Sequence, residues 1–216
     1  MATQLSRHEK KRLKVLWQYD LLDTMPERVF DDLTELAARI CEAPIALISL
    51  VDEERQWFKS KIGVTLNETS RDVSFCSHAI RQEGLFIVPD ATKDPRFAHN
   101  PLVTSDPKIR FYAGAPLITP DGHALGTLCV LDKVARELRP EQQQALRILA
   151  RHVMTQLELR RQVHALAAAH QSGEANYDEL EKARAEVAER KHASAKLKTD
   201  DSSALPKAVK AERGHR

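Results

Sequence analysis

Three cysteines in 216 residues, Cys41, Cys76 and Cys129, are too few and too far apart to frame a small disulfide-stapled domain. No CxxC pair and no His/Cys grouping at zinc-finger spacing occurs, so a structural metal site is not expected. No apolar run approaches the ~20 residues of a membrane helix. The opening MATQLSRHEKKRLK lacks the apolar segment of a secretory signal, so a cytoplasmic protein with no membrane partner is expected. Neither charge dominates: 33 Lys+Arg stand against 31 Asp+Glu, a net charge of +2. That balance argues against a nucleic-acid module resting on a basic surface. No Ser/His/Asp set and no phosphate-binding loop is present.

Proline, glycine and aromatics are scarce in one part of the chain only. Nine of ten prolines lie between Pro26 and Pro140, and ten of eleven aromatics between Trp17 and Tyr112. From Glu141 to Leu205 there is no proline, and Gly173 is the only glycine. The first two-thirds therefore have the turns and bulk for a mixed core, while the last third reads as helix. A helix is predicted from Ser6 to Leu22, with Ser6 and Glu9 at capping-box spacing. A second should begin near Thr24, with Thr24 and Glu27 repeating that spacing and Phe30, Leu33, Leu36 and Ile40 as its buried stripe. Ile45 to Val51 and Trp57 to Ile62 read as an antiparallel hairpin. A short helix from Ser74 to Arg81, a strand from Leu85 to Val88 and a helix start at Asp94-Pro95 follow. Ile109 to Ile118 and Ala124 to Leu131 flank the turn Pro120-Asp121-Gly122. Pro140-Glu141 opens a long helix whose Leu146, Leu149, Val153 and Leu157 are placed to pack back. Strands joined by tight turns predict an α+β domain built on an antiparallel sheet.

Five runs carry a resemblance: LLDTMPERVFDDLTELAARI, PIALISLVDEERQWFKSKIG, SFCSHAI, VPDATKDPRFAHNPLV and RFYAGAPLITPDGHALGTLCVLD. From about Leu13 to Leu159 the chain resembles a bacterial sensory-type GAF domain, as found ahead of histidine kinase and diguanylate cyclase modules. The resemblance implies a sheet of about six antiparallel strands, helices on both faces, and a pocket between the sheet and the short-helix side. GAF domains bind cyclic nucleotides, bilins, haem or small metabolites, and some bind nothing known, so the ligand and any cofactor stay open. The family's cyclic-nucleotide signature is missing. Bilin attachment in phytochrome-type members pairs adjacent Cys and His, whereas Ser77 separates Cys76 from His78 here. Some stand-alone members resemble free methionine-(R)-sulfoxide reductases, with a nucleophilic and a resolving cysteine in the pocket. Cys76 and Cys129 lie in the corresponding region, although the clustered cysteine spacing is absent.

The candidate ligand-binding residues are Trp57, Phe58, Cys76, His78, Asp90, Arg96, Phe111, Tyr112 and Cys129, and each has a plain structural alternative. Cys76 is either a redox-sensing thiol or a small apolar core residue beside Ile80. His78 is a ligand donor or proton switch, or else stabilises a turn. Arg96 with Asp90 suits an anionic ligand; alternatively Asp94 caps a helix and Arg96 pairs with a nearby acid. Trp57, Phe58, Phe111 and Tyr112 wall a pocket or fill a core, and a buried Tyr112 hydroxyl needs a polar partner. No catalytic residue and no metal ligand is assigned.

Residues 1–159 are expected to form the domain, 160–197 a helical extension and 198–216 a disordered tail. Leu149, Leu159, Val163 and Leu166 fall near a/d spacing, which suggests a parallel homodimer helix. No kinase, nucleotide-binding or cyclase motif follows. The expected function is a non-enzymatic sensory module taking a small-molecule or redox input and relaying it through the C-terminal helix to a downstream signalling protein. A sulfoxide reductase-like enzyme and a ligand-free dimerisation module are the alternatives.

Overall fold

A computed structural model describes residues 5–202. Helix α1 (Arg7–Gln18) starts after Ser6, whose hydroxyl accepts from the Glu9 amide at 3.2 Å. On its inner face the buried Arg12 donates to Glu9 at 2.8 Å and to the Val51 carbonyl at 2.6 Å. Arg71 adds a second guanidinium at 2.7 Å from Glu9. Burial raises the Glu9 carboxyl, but Arg12 and Arg71 outweigh it and hold it down to about 2.

Helix α2 (Arg28–Cys41) departs from expectation in two respects. It begins after Glu27, because the Thr24 hydroxyl donates back to the Leu21 carbonyl at 2.7 Å and Glu27 is engaged elsewhere. Its buried residues are Phe30, Thr34, Ala37, Ala38 and Cys41, while Leu36 and Ile40 are 46% and 39% exposed. The small Ala37 and Ala38 let the helix approach the strands closely, which a stripe centred on Leu36 and Ile40 would prevent.

Six strands follow the order β3-β2-β1-β6-β5-β4, every pair antiparallel. They are β1 (Ile45–Val51), β2 (Arg55–Ile62), β3 (Glu68–Ser70), β4 (Phe86–Val88), β5 (Phe111–Ile118) and β6 (Ala124–Asp132). The short helices α3 (Cys76–Ala79) and α4 (Pro101–Thr104) interrupt this series. Asp94-Pro95 forms a turn rather than a regular helix: Phe97 and Ala98 amides both donate to the Asp94 carbonyl, at 2.9 and 2.8 Å. The helix start lies further on, where Asn100 accepts from the Leu102 amide at 2.9 Å.

Period-two alternation gives the sheet two cores. Ala46, Ile48 and Leu50 of β1 with Phe111, Ala113 and Leu117 of β5 face α1, α2 and the beginning of α5 (Pro140–Ser202). Leu146, Leu149, Val153 and Leu157 complete that core, as their spacing predicts. On the other face Leu47 and Val51, Tyr112, and Cys129 and Leu131 pack with Phe75, Phe86 and Phe97. One irregularity matters. Ile48 pairs with Ser60 but Ser49 with Phe58, so Lys59 is the extra residue of a β-bulge. Phe58 joins the aromatic core while Lys59, its neighbour, reaches the helix-covered side.

The chain divides into two units after Gln162. In the second, helix is described to Ser202, and Val163, Leu166 and Leu180 are exposed. Residues 198–202 are thus helical, and the rest of the tail expected to be disordered lies outside the described residues. Among the described residues no helix is long and apolar enough to cross a membrane.

Candidate functional site

Cys76 opens α3 and is placed there by a polar seam to the sheet. Ser74 Oγ accepts from the Ser77 amide at 3.1 Å and donates to Gln56 Oε1, which also receives Ser49 Oγ at 3.4 Å. The α3 start is thereby held over β1 and β2. Beneath it, Cys76 Sγ accepts from Thr127 Oγ1 at 3.1 Å and from the Tyr112 hydroxyl at 3.4 Å, and lies 3.8 Å from Cys129 Sγ. Cys129 Sγ in turn points at the Leu47 carbonyl, 3.7 Å away. All four residues are buried.

Gly114 makes this convergence possible. The Tyr112 ring lies along its own strand over Gly114, where a Cβ would collide with the phenol oxygen. Only a residue without a side chain lets that hydroxyl reach Cys76.

The electrostatics of the pair are lopsided. Burial pushes the Cys76 thiol up, but hydrogen bonds from Cys129, Thr127, Tyr112 and Ser49 outweigh it and bring Cys76 below an ordinary thiol. Burial and the Cys76 neighbour both push Cys129 well above it. One sulfur is prepared to carry charge and the other to keep its proton.

Of the residues singled out in the sequence, Phe58, Cys76, Tyr112 and Cys129 come together in one buried cluster. His78 stands at its margin, half-buried, with its ring edge-on to Phe97 at 4.9 Å. Burial, with Arg81 and Arg96 nearby, lowers its pKa. Arg96 lies over the Phe86 ring at 4.8 Å and pairs with Asp94 at 2.5 Å. Asp90 closes its own turn, accepting from the Thr92 amide at 3.1 Å and pairing with Lys93 at 3.2 Å. Arg96 and Asp90 are thus each engaged by a partner close in sequence, Asp94 and Lys93 respectively. Trp57 and Phe111 lie in the opposite core, because strand alternation sends Trp57 away from Phe58 and Phe111 away from Tyr112. Thr127, Ser49 and Gln56 are site residues that sequence reasoning missed. Thr127 was readable as the residue two before Cys129 on the same strand face.

The space expected to be an open pocket is occupied by side chains. Phe75 stacks on Phe97 at 4.1 Å and on Tyr112 at 5.3 Å between ring centroids. The Cys76 thiol beside these rings is buried, so it is not presented to a tetrapyrrole from solvent. A surface cavity of about 570 Å³ lies elsewhere, lined by Asp23, Met25, Trp57, Lys59, Lys61 and Asn67 among others. Among the described residues no group of three His, Cys, Asp or Glu side chains is arranged to hold a metal ion.

The helix-covered face carries a second polar system. Lys59 Nζ, fully buried, donates to Thr24 Oγ1 and the Met25 carbonyl, both at 2.8 Å, and to Glu27 at 2.6 Å. Glu27 also receives Arg160 of α5 at 2.9 Å, and Arg160 reaches the Asp20 carbonyl at 2.9 Å. Two residues earlier on α5, Glu158 accepts from the Tyr19 hydroxyl.

This sheet order, with helices on both faces and a long terminal helix, defines an α+β sandwich-like domain of one antiparallel sheet, and residues 25–157 match the GAF domain family model. The chain belongs to the GAF domain family. It is 45% identical over 150 residues to a cyclic di-GMP phosphodiesterase of Pseudomonas aeruginosa, an alignment covering 69% of this chain and 26% of that protein. The chain thus spans about a quarter of that relative. Among solved structures it is similar to the GAF domain of a Coxiella burnetii phosphoenolpyruvate-protein phosphotransferase, with a TM-score of 0.52, 18% identity, and 74% of this chain and 99% of the other covered. The free methionine-R-sulfoxide reductase of Neisseria meningitidis is comparably similar, with a TM-score of 0.50, 18% identity, and 76% and 98% covered.

Proposed function

We propose that this chain is the sensory and regulatory part of a cytoplasmic signalling system. A redox change or small ligand acting around Cys76, His78 and Tyr112 alters how α5 packs, and a downstream signalling protein reads that helix. The observation carrying this reading is the Glu27 clamp, which joins Lys59 of β2 to Arg160 of α5. Lys59 directly follows Phe58, which packs in the aromatic core, so a shift of β2 at Phe58 is felt by the clamp. Transmission requires the input to favour one of two α5 arrangements over the other. The relative named as a cyclic di-GMP phosphodiesterase, of which this chain matches about a quarter, supports a signalling context.

Homodimerisation is part of the same reading. Of the four expected seam residues Leu149 is instead buried in the domain core, while Leu159, Val163 and Leu166, at i, i+4 and i+7, are exposed, the spacing of a helix seam that a second copy would cover. Native mass spectrometry of freshly purified protein tests both halves together. A dimer carrying a co-purified small molecule, or one whose thiol state changes with oxidant, is expected; an inert, unliganded monomer contradicts the proposal.

The touching cysteines favour a second reading as a sulfoxide reductase-like enzyme. It predicts turnover of free methionine sulfoxide that Cys76→Ser or Cys129→Ser abolishes.

A further inference from the structure

We infer that Cys76 and Cys129 form a peroxide-reactive dithiol site that closes to an intramolecular disulfide between α3 and β6. This rests on the sensory reading above and gives its input a chemistry: a small hydroperoxide rather than a bulky ligand.

The two sulfurs are 3.8 Å apart, so reaching a disulfide S–S length of about 2.05 Å needs a closure of under ~2 Å. Cys76 sits on a helix of only four residues, an element that side-chain rotation and a small shift can move, while Cys129 sits in a central strand paired on both sides. The surroundings suit the first chemical step. Thr127 and Tyr112 hydroxyls both aim at Cys76 Sγ, where they stabilise a thiolate and then a departing oxygen. Phe75, Phe97 and Tyr112 exclude large molecules, which leaves small neutral oxidants as the class able to enter when α3 opens locally.

The steps balance. The Cys76 thiolate attacks one oxygen of the hydroperoxide, the O–O bond breaks, and the departing alkoxide or hydroxide takes up the proton Cys76 released. Cys76 is now a sulfenic acid. The Cys129 sulfur then attacks the Cys76 sulfur, the S–O bond breaks, and hydroxide leaves with the Cys129 proton as water. Two electrons have passed from the thiols to the peroxide. A dithiol reductant returns two electrons and two protons and restores both cysteines. Cys129 in contact resolves the sulfenic acid before a second peroxide oxidises it further. In the closed form Cys76 no longer offers Tyr112 a thiolate, and the Tyr112 hydroxyl keeps Thr127 Oγ1, 3.4 Å away, as its acceptor. The disulfide ties α3 to the strand next to β1 and β5, which is the structural change the relay would read.

Cys41 provides the internal control. It is buried in the opposite core, and burial pushes its thiol up to about 11. The experiment treats the full chain with hydrogen peroxide, alkylates it under denaturing conditions and maps the peptides by mass. Two of the three cysteines are expected to lose alkylation as one linked Cys76–Cys129 peptide pair, restored by dithiothreitol, with Cys41 still alkylated. In Cys129→Ser the linked peptides disappear and Cys76 is captured as sulfenic acid by dimedone. Three results overturn the inference: all three thiols alkylated after peroxide, Cys76 over-oxidised with Cys129 free, or a link that uses Cys41 or joins two chains. A disulfide that leaves amide exchange in α5 unchanged upholds the site and removes the relay. Inert thiols beside a ligand-driven change in α5 remove the site alone.

Discussion

The two faces of the sheet bury polar groups by opposite means. On the helix-covered face, Arg12 and Lys59 are charged and fixed by carboxylates and carbonyls. On the other, Ser49, Gln56, Ser74, Thr127, Tyr112 and two thiols form a seam of hydroxyl, amide and sulfur groups under a short helix. A buried charge that loses its partner is costly, so the first face changes its bonding only at a price in stability. Hydroxyls and thiols exchange partners without stranding an ion, so the second face can change state. Cys41 and Cys76 put the contrast in one residue type. Both are buried, yet burial raises Cys41 to about 11 while converging donors lower Cys76. Burial raises all three thiols, and only at Cys76 do converging hydrogen bonds outweigh it.

Deep truncations break the comparison hardest. Phe75→Ala should cost about 3–5 kcal/mol and Leu146→Ala about 2–5 kcal/mol in urea unfolding. Only Phe75→Ala should also make Cys76 reactive toward N-ethylmaleimide in the folded protein. Equal thiol reactivity in both variants would erase the distinction between the faces. Glu27→Gln strips Lys59 and Arg160 of their shared carboxylate. Because Glu27 is itself 36% exposed, the expected loss is about 2 kcal/mol, short of the ~3–5 of a fully buried pair. It should leave the thiols as they were. Gly114→Ala pushes the Tyr112 phenol off its strand. A loss of about 1–2 kcal/mol is expected, with slower reaction of Cys76 with peroxide, measured by the same peptide mapping.

The smallest effects are those of pH, and they separate the faces by window. Glu9 is held to about 2 against an ordinary 4.5, so its contribution is whole above pH 4.5 and lost as pH falls toward 2. His78, lowered from 6.5, contributes in full above pH 6.5 and loses it as pH falls through its lowered value. Glu9→Gln should flatten the acid limb of a stability–pH curve, and His78→Gln the limb nearer neutrality. A curve unchanged by either variant contradicts the assignment.

Much of the architecture was legible because alternation and turn chemistry are local. Ile45 to Val51, the Pro120-Asp121-Gly122 turn and the Leu146 to Leu157 stripe all stand where the pattern puts them. The rotation of α2 was not legible, since two alanines outweigh Leu36 and Ile40 only once the sheet lies beneath them. The bulge at Lys59 was equally hidden, because a one-residue insertion shows only against a partner strand. At the site, Cys76, Tyr112 and Cys129 were recognisable as residue types. That Gly114 frees the Tyr112 hydroxyl to reach Cys76 depends on two strands and a helix meeting, which spacing along the chain does not encode.

Amide hydrogen exchange across Pro140 to Leu166, compared between dithiothreitol-reduced and peroxide-oxidised protein, tests most directly whether the thiol face speaks to the helix. Altered protection around Glu158 and Arg160 is expected in the oxidised form, abolished in Cys129→Ser. Identical exchange in fully disulfide-bonded and fully reduced protein would contradict it.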